Sequence, residues 1–450
     1  VAAHRLGIKR ETLYAYVSRG MLTSRKEAGS RESRFDPAEI SRMAEHRRSG
    51  SGRAGATEVV IDSALTLLDP AGRLWFRGWD AEIACRTASF EQMAEWLWTG
   101  PLAAGSLAAG PLAAGPLAAG PPVAFAAPAD VLDAARRAVS SLGPATPPVD
   151  RVRVALAAAA TADPLRFDRR PDAVAAAGRR IVAVMVDALA APRPAGNPLS
   201  VRSEALAAPH AARDPRTARG AMAAPHSAEG TTVAERLWSR LSPTPGTAEQ
   251  RAVLNAALVV LADHEMASST LAARVAASTW ADPYLVVTAG LATLGGPLHG
   301  SVGDRMVPVL EDAVARGAAE AIAERWRLGE NVWGFGHRVY TNRDPRAETL
   351  WLLLQAAWPG DELIEATGEV IVAVTAHGKT FPNVDLMLGA LVGAAGMVEG
   401  SAEVIFAVAR TVGWLAHAIE EYPHALRFRL RAAYTGPAPA SGMRAPSRSR

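Results

Sequence analysis

Residues 331–347, NVWGFGHRVYTNRDPRA, place a histidine beside two glycines and an arginine directly after an Asp-Pro pair. Gly334 and Gly336 permit backbone conformations closed to other residues and let a ligand approach the main chain. Asp344 and Pro345 read as the N-cap and first residue of a helix. His337 then lies on a loop and Arg346 at a positively polarised helix start, both suited to an anionic ligand. A glycine-rich turn before an ordinary helix explains this stretch alone equally well. Other chemistry-bearing stretches lie nearby in sequence. They are ADHEMASSTLAARVAAST (262–279) with His264, GGPLHGSVGDRMVPVLEDA (295–313) with His299, and FPNVDLMLGAL (381–391) with Asp385. ARTVGWLAHAIEE (409–421) and RFRLRAAYTGP (427–437) contribute Arg410 and Arg429.

The elements that must position these groups are mostly helical. At 450 residues, two or three domains are expected. The apolar share, 49%, suits a globular protein, and no uncharged apolar run reaches the ~18 residues of a membrane span. The opening VAAHRLGIKR turns polar at once, unlike a signal peptide. The single cysteine, Cys85, excludes an internal disulfide and a cysteine-built metal site, and these readings point to the cytoplasm. Residues 1–53 hold twelve Lys/Arg and six Asp/Glu, a net of +6, so the remainder carries −3 of the overall +3. Only the N-terminal part is then expected to meet a polyanion. There a short helix with Leu6 ends at Gly7, and Glu11–Arg19 resumes helical spacing with Leu13, Tyr14 and Val17. A short strand in RESRF and a helix start at Asp36-Pro37 follow. Residues 1–48 thus resemble the winged helix-turn-helix of the MerR and excisionase type, with a small helical protein–protein module as the alternative. SGSGRAGA (49–56) is a linker, and two β-like runs flank Asp69-Pro70-Ala71-Gly72. Two segments interrupt the helical pattern: the five-residue repeat of 100–122 and a Pro/Ala/Ser/Arg-rich insertion at 191–230, where His210 and His226 read as solvated bystanders.

Taken together and in order, the chemistry-bearing stretches resemble the citrate synthase family over residues 57–437, apart from the two interruptions. The N-terminal extension resembles that of a subgroup of actinobacterial citrate synthase-like proteins. The resemblance implies a mainly α fold with a large domain and a small one, roughly 301–396, preceded by the winged helix-turn-helix and ending in a disordered tail at 438–450. It implies condensation of acetyl-CoA with oxaloacetate and water to give citrate and CoA, with no permanently bound cofactor. Removing a weakly acidic proton beside a thioester needs a base and a donor to the forming enol oxygen. The resemblance assigns the base to Asp385, the enol donor to His299, and polarisation of the keto carbonyl to His337. A neutral imidazole at His299, favoured by the following helix start, could donate directly. Oxaloacetate's two carboxylates would meet Arg346, Arg410 and His264, with Arg429 reaching across from the other subunit of a homodimer. Coenzyme A would lie along the backbone of Val332, Trp333, Gly334, Phe335 and Gly336.

Two positions depart from the family pattern. Thr341 stands where Lys or Arg often faces the coenzyme A phosphates, with Arg343 as the expected substitute, and Leu430 replaces a proline after Arg429. His377, His417 and His424 lie outside the matching positions and read as structural or solvated. No metal site is indicated, since the histidines lack short-spaced carboxylate or thiol partners. The motifs do not separate acetyl-CoA from propionyl-CoA, so 2-methylcitrate synthesis stays open. A DNA-binding regulator whose larger domain senses a metabolite is the alternative from another class.

Overall fold

The computed structural model describes residues 24–26, 33–35, 60–100, 123–192 and 231–429, and the chain divides into two compact units, Val1–Asp62 and Ser63–Arg450. In the first, β1 (Ser24–Lys26) and β2 (Ser33–Phe35) pair antiparallel with Arg25 opposite Arg34. A strand therefore falls where RESRF suggested one. The helices expected at 1–48, the linker, nearly all of both interruptions and the tail from 430 onward lie outside the described residues.

The second unit opens with an antiparallel sheet of β3 (Thr66–Asp69), β4 (Arg73–Phe76) and β5 (Trp79–Asp80). Asp69-Pro70-Ala71-Gly72 forms its first turn, closed by Gly72 N–H donating to the Asp69 carbonyl at 2.9 Å. The third strand, β5, had no signal of its own in the sequence. The helices that follow among the described residues are α1 (Ala81–Thr87), α2 (Phe90–Thr99), α3 (Ala129–Ser140), α4 (Pro148–Ala162), α5 (Pro171–Asp187), α6 (Val233–Leu241) and α7 (Ala248–Leu261). After them come α8 (Ser268–Ser278), α9 (Pro283–Leu294), α10 (Val302–Arg316), α11 (Ala318–Arg327), α12 (Pro345–Ala357), α13 (Glu362–Thr375), α14 (Val384–Ala394) and α15 (Ser401–Glu421).

Several starts follow directly from side-chain chemistry. Ser89/Gln92, Thr232/Glu235 and Thr247/Gln250 form capping boxes at α2, α6 and α7. Each satisfies two orphan backbone donors, and loss of such a cap typically costs about 1 kcal/mol. Helix α15 is the axis of the larger packing group, touching α2, α4, α5, α7, α8 and α9. Its stretch Ser401–His424 has the length and hydropathy of a membrane span, yet 89% of its most apolar window is buried within the protein. Helices α10, α11, α13 and α14 pack chiefly on one another and meet the rest through contacts of α10 and α14 with α15 and of α14 with α7. Helix α12 lies against α14 on one side and α7 and α1 on the other. The chemistry-bearing residues fall in the turn between α7 and α8, just before α10, in the segment between α11 and α12, at the starts of α12 and α14, and within α15.

Candidate active site

The stretch that frames His337 is held by a short backbone pairing. Phe335 bridges Pro382 antiparallel, Gly336 N–H donates to the Phe381 carbonyl at 2.7 Å, and Asn383 N–H donates to the Gly334 carbonyl at 2.9 Å. Gly334 takes φ +82, and a Cβ there would sit 2.9 Å from the Leu386 Cβ, so no other residue fits without displacement. This pairing ties the histidine loop to the start of α14, which carries Asp385. Asn383 is the N-cap of α14, its side chain accepting from Asp385 N–H at 3.0 Å. Asp385 therefore does not cap its helix and keeps its carboxylate for other use.

Asp344 and Pro345 occupy the N-cap and first position of α12, as their order in the sequence suggested. Asp344 does more than cap. Its carboxylate accepts from Arg346 Nε at 2.9 Å and Nη2 at 2.8 Å, and from Val384 N–H at 3.1 Å, so it also locks α12 to α14. Burial acts to lower the Arg346 pKa, but this two-pronged pairing overrides it and raises the value above the ordinary guanidinium range.

The three histidines expected to act together lie in one neighbourhood. The rings of His264 and His337 meet edge-on with centroids 5.0 Å apart, and Tyr340 packs 4.6 Å from His337 and 5.6 Å from His264. His299 lies 5.8 Å from the Phe406 ring, and the Arg410 guanidinium stands 4.9 Å over that same ring. Burial, then the charge of Arg410, lowers His299 to about 4. Burial, then Arg346, lowers His337 to about 4 as well. His264 is pushed well below its ordinary value by burial and by Arg346, Arg410 and the other two imidazoles. All three rings are therefore neutral at pH 7. For His299 the causes are burial and Arg410, and no contribution from the following helix is needed.

His337 also has a defined tautomer. Its Nδ1 accepts from the backbone N–H groups of Val339 at 3.0 Å and Tyr340 at 3.1 Å, which leaves the proton on Nε2. His299 Nε2 shares a 2.9 Å hydrogen bond with the Ser269 hydroxyl. Asp385 is raised to about 6, chiefly by burial, with Arg346 opposing, Asp344 reinforcing and Arg410 opposing. His299, His337 and Asp385 are each only half-buried, whereas His264, Arg346 and Arg410 are nearly inaccessible. The groups able to exchange protons are the ones left within reach.

Not every expected residue joins this group. Arg429 is exposed at the end of the described chain, and no contact links it to the cluster among the described residues. Arg343 is occupied elsewhere: its Nη2 donates to both Glu82 oxygens at 3.0 Å, and its Nε lies 2.9 Å from Glu348 Oε2. A phosphate there would have to displace two carboxylates. Val332, Trp333 and Phe335 are half-buried beside the paired loop, with the exposed Arg305 guanidinium 5.4 Å over Trp333. His377 and His424 are exposed, while His417 is wholly buried in an ionic network. Sequence reasoning missed Ser269, Tyr340 and the pairing role of Asp344. Of these, Tyr340 alone left a trace, as an aromatic inside a polar run. No group of metal-ligating side chains occurs among the described residues.

Neutral imidazoles, inaccessible guanidinium groups and a carboxylate raised to about 6 thus stand together on a mainly helical frame. The chain belongs to the citrate synthase family: the family model described as "Citrate synthase, C-terminal domain" matches residues 55–431. Among curated relatives it is similar to citrate synthase 2 of Bacillus subtilis, 37% identical over 193 residues, which is 41% of this chain and 50% of that protein. A citrate synthase of Haloferax volcanii is 37% identical over 191 residues, 40% of this chain and 49% of its own. These alignments span about half the length of the curated relatives. The fold is similar to that of the Thermotoga maritima citrate synthase, at TM-score 0.61 and 22% identity over 87% of this chain and 97% of that one. It is likewise similar to the Thermoplasma acidophilum citrate synthase solved with carboxymethyl coenzyme A and oxaloacetate, at TM-score 0.60 and 23% identity over 86% and 96%.

Proposed function

We propose that this chain condenses acetyl-CoA with oxaloacetate and water, releasing citrate and coenzyme A. The observation that carries the reading is a carboxylate, Asp385, held near pKa 6 in a site whose histidines are neutral. Asp385 takes a proton from the carbon beside the thioester carbonyl, while His299 donates to the enol oxygen. In this scheme the Ser269 hydroxyl, 2.9 Å from His299 Nε2, donates to that nitrogen and leaves the imidazole proton on Nδ1 for the enol oxygen. The enol carbon attacks the keto carbon of oxaloacetate, His337 Nε2–H hydrogen-bonds the developing alkoxide, and the proton that Asp385 removed ends on that oxygen, restoring the carboxylate. Arg346, Arg410 and His264 hold the two carboxylates, and Arg429 completes that set from the partner subunit of a homodimer. Water then hydrolyses the thioester. Coenzyme A lies along Val332–Gly336, and the helices of roughly 301–396 close over both substrates as a small domain, excluding water.

The test is thiol release from purified protein with oxaloacetate and either acetyl-CoA or propionyl-CoA, with Asp385→Asn alongside. Release should require oxaloacetate and fall about 10²- to 10⁴-fold in the variant, the range of a lost general base. A faster rate with propionyl-CoA would make the product 2-methylcitrate. Full turnover by Asp385→Asn would remove the mechanism.

The β1–β2 hairpin, which carries Arg25, Lys26 and Arg34, favours a second and compatible reading: DNA binding through residues 1–48. Binding should then prefer particular sequences and weaken steeply with salt. Equal, weak binding to unrelated duplexes would count against it.

A further inference from the structure

Tyr340 sits at the centre of the basic cluster without a role in the scheme above. It is 2% exposed, and its hydroxyl lies 3.2 Å from His264 Nε2, its sole side-chain partner among the described residues. Its ring stacks obliquely on His337 and carries the Arg346 guanidinium 5.8 Å from its centroid. Its backbone N–H is one of the two donors that fix the His337 tautomer. The side chain thus touches three of the groups that would hold the keto acid, His264, His337 and Arg346. Burial raises the phenol pKa, with Arg346 opposing, so the proton stays on the oxygen throughout the neutral range.

A phenolic oxygen donates one hydrogen bond and accepts others, so the contact to His264 leaves capacity unused. Had Tyr340 served packing alone, a phenylalanine would fill the place without bringing a hydroxyl that needs partners. Resting on the function proposed above, we propose that the Tyr340 hydroxyl is a substrate contact. It accepts from His264 Nε2–H and donates to a carboxylate oxygen of the dicarboxylic keto acid. The two side chains then act as one hydrogen-bonded pair, each polarising the other. The class of ligand follows from the surroundings. Arg346 is paired with Asp344, but the buried Arg410 has no such partner and calls for negative charge, and a neutral phenol nearby supplies direction rather than further charge.

Tyr340→Phe keeps the ring against His337 and removes only the oxygen. The oxaloacetate KM should rise about 10-fold or more, as expected for losing one hydrogen bond to a charged group. The acyl-CoA KM at saturating oxaloacetate should stay as in the wild type, and the melting temperature should fall only slightly, since His264 Nε2 loses its partner while the packing of the ring is kept. Oxaloacetate alone should raise the melting temperature of the wild type more than that of the variant. An oxaloacetate KM within twofold of wild type overturns the proposal. So does a matching rise in both Michaelis constants with a markedly lower melting temperature, which would mark a packing role. A wild-type protein that neither binds nor turns over oxaloacetate would instead overturn the function on which the proposal rests.

Discussion

Arg274 on α8 and Arg410 on α15 are equally hidden, at 0% and 1% exposure, yet their surroundings are opposite. Arg274 donates from Nε to Glu421 at 2.8 Å and from Nη1 to Glu420 at 3.0 Å, and Nη1 also meets His417 Nδ1 at 2.8 Å. His417 continues through Nε2 to Asp263 at 3.3 Å, and Thr66 donates to the same carboxylate oxygen at 2.5 Å. Arg410 has no such company. Its Nε donates to the Leu261 carbonyl at 2.8 Å, its Nη2 is buried without a partner, and no carboxylate lies within ion-pair distance among the described residues. Burial lowers Arg410 to about 10, although Asp263 works against this. A guanidinium left in that state is costly unless something anionic arrives. The first arginine has been neutralised by its own chain, and the second has no anionic partner among the described residues.

That contrast can be broken by one matched pair of variants. Arg274→Gln leaves the fully buried Glu421 carboxylate with only the looser 3.7 Å pairing to Arg427 and should lower unfolding free energy by about 3 kcal/mol. The molecules that remain folded should keep a near-normal oxaloacetate KM. Arg410→Gln should leave stability unchanged or slightly higher, because it removes an uncompensated cation, while the oxaloacetate KM rises about 100-fold for the loss of a charged pair. Urea denaturation and steady-state kinetics on both proteins read the two axes. If Arg410→Gln proved the less stable of the two, the distinction between a structural and a ligand-facing arginine would fail.

A smaller effect concerns pH. The base must be ionised to act, so kcat/KM should fall tenfold per unit as pH drops below about 6, the value to which burial raises Asp385. His299 and His337 lie at about 4 and stay neutral, so no second limb from them should appear between pH 5 and 8. Stability should carry the opposite sign for this one group. The folded pKa of Asp385 exceeds the ~3.9 of an unfolded chain, so its contribution is fully present below about pH 4 and is lost as pH rises through about 6. Proton uptake on folding, measured near pH 5, would check that sign, and an activity profile flat from pH 5 to 8 would contradict the assigned base.

How far the sequence could be read depends on whether a feature is local. Asp344-Pro345 announced a helix start, and Asp69–Gly72 announced a turn, because caps and turns are decided within four residues. The motif stretches located His264, His299, His337, Arg346, Arg410 and Asp385, and the fold brings these into one electrostatic neighbourhood. What stayed hidden were partnerships across long separations. Nothing near His417 foretells that its ring would bridge Arg274 and Asp263, 143 and 154 residues away. Periodicity shows that a position faces inward and is silent on what it will meet there. Gly413 is a further case. A Cβ at that helical position would fall 2.3 Å from the Asp263 Oδ1, so the glycine marks where α15 crosses the turn carrying His264.

Arg343 adds a third arginine to the comparison and the smallest expected effect. It is paired, like Arg274, but its side chain is 34% exposed, and its partners Glu82 and Glu348 are 31% and 49% exposed. Beside it Thr341 donates from both N–H and Oγ1 to the Pro70 carbonyl at 3.0 Å, so the two residues together tie the His337 loop to the β3–β4 turn and α1. Partly exposed pairs of this kind contribute roughly 0–1 kcal/mol. Arg343→Ala should therefore change the acyl-CoA KM by no more than about threefold and shift the oxaloacetate KM by a similar factor, as the loop loosens slightly. A phosphate-binding arginine would behave otherwise, raising the acyl-CoA KM alone and by about 10-fold or more. Kinetics with each substrate varied in turn decide between the two. The selective outcome would mean that Glu82 and Glu348 release Arg343 when coenzyme A arrives.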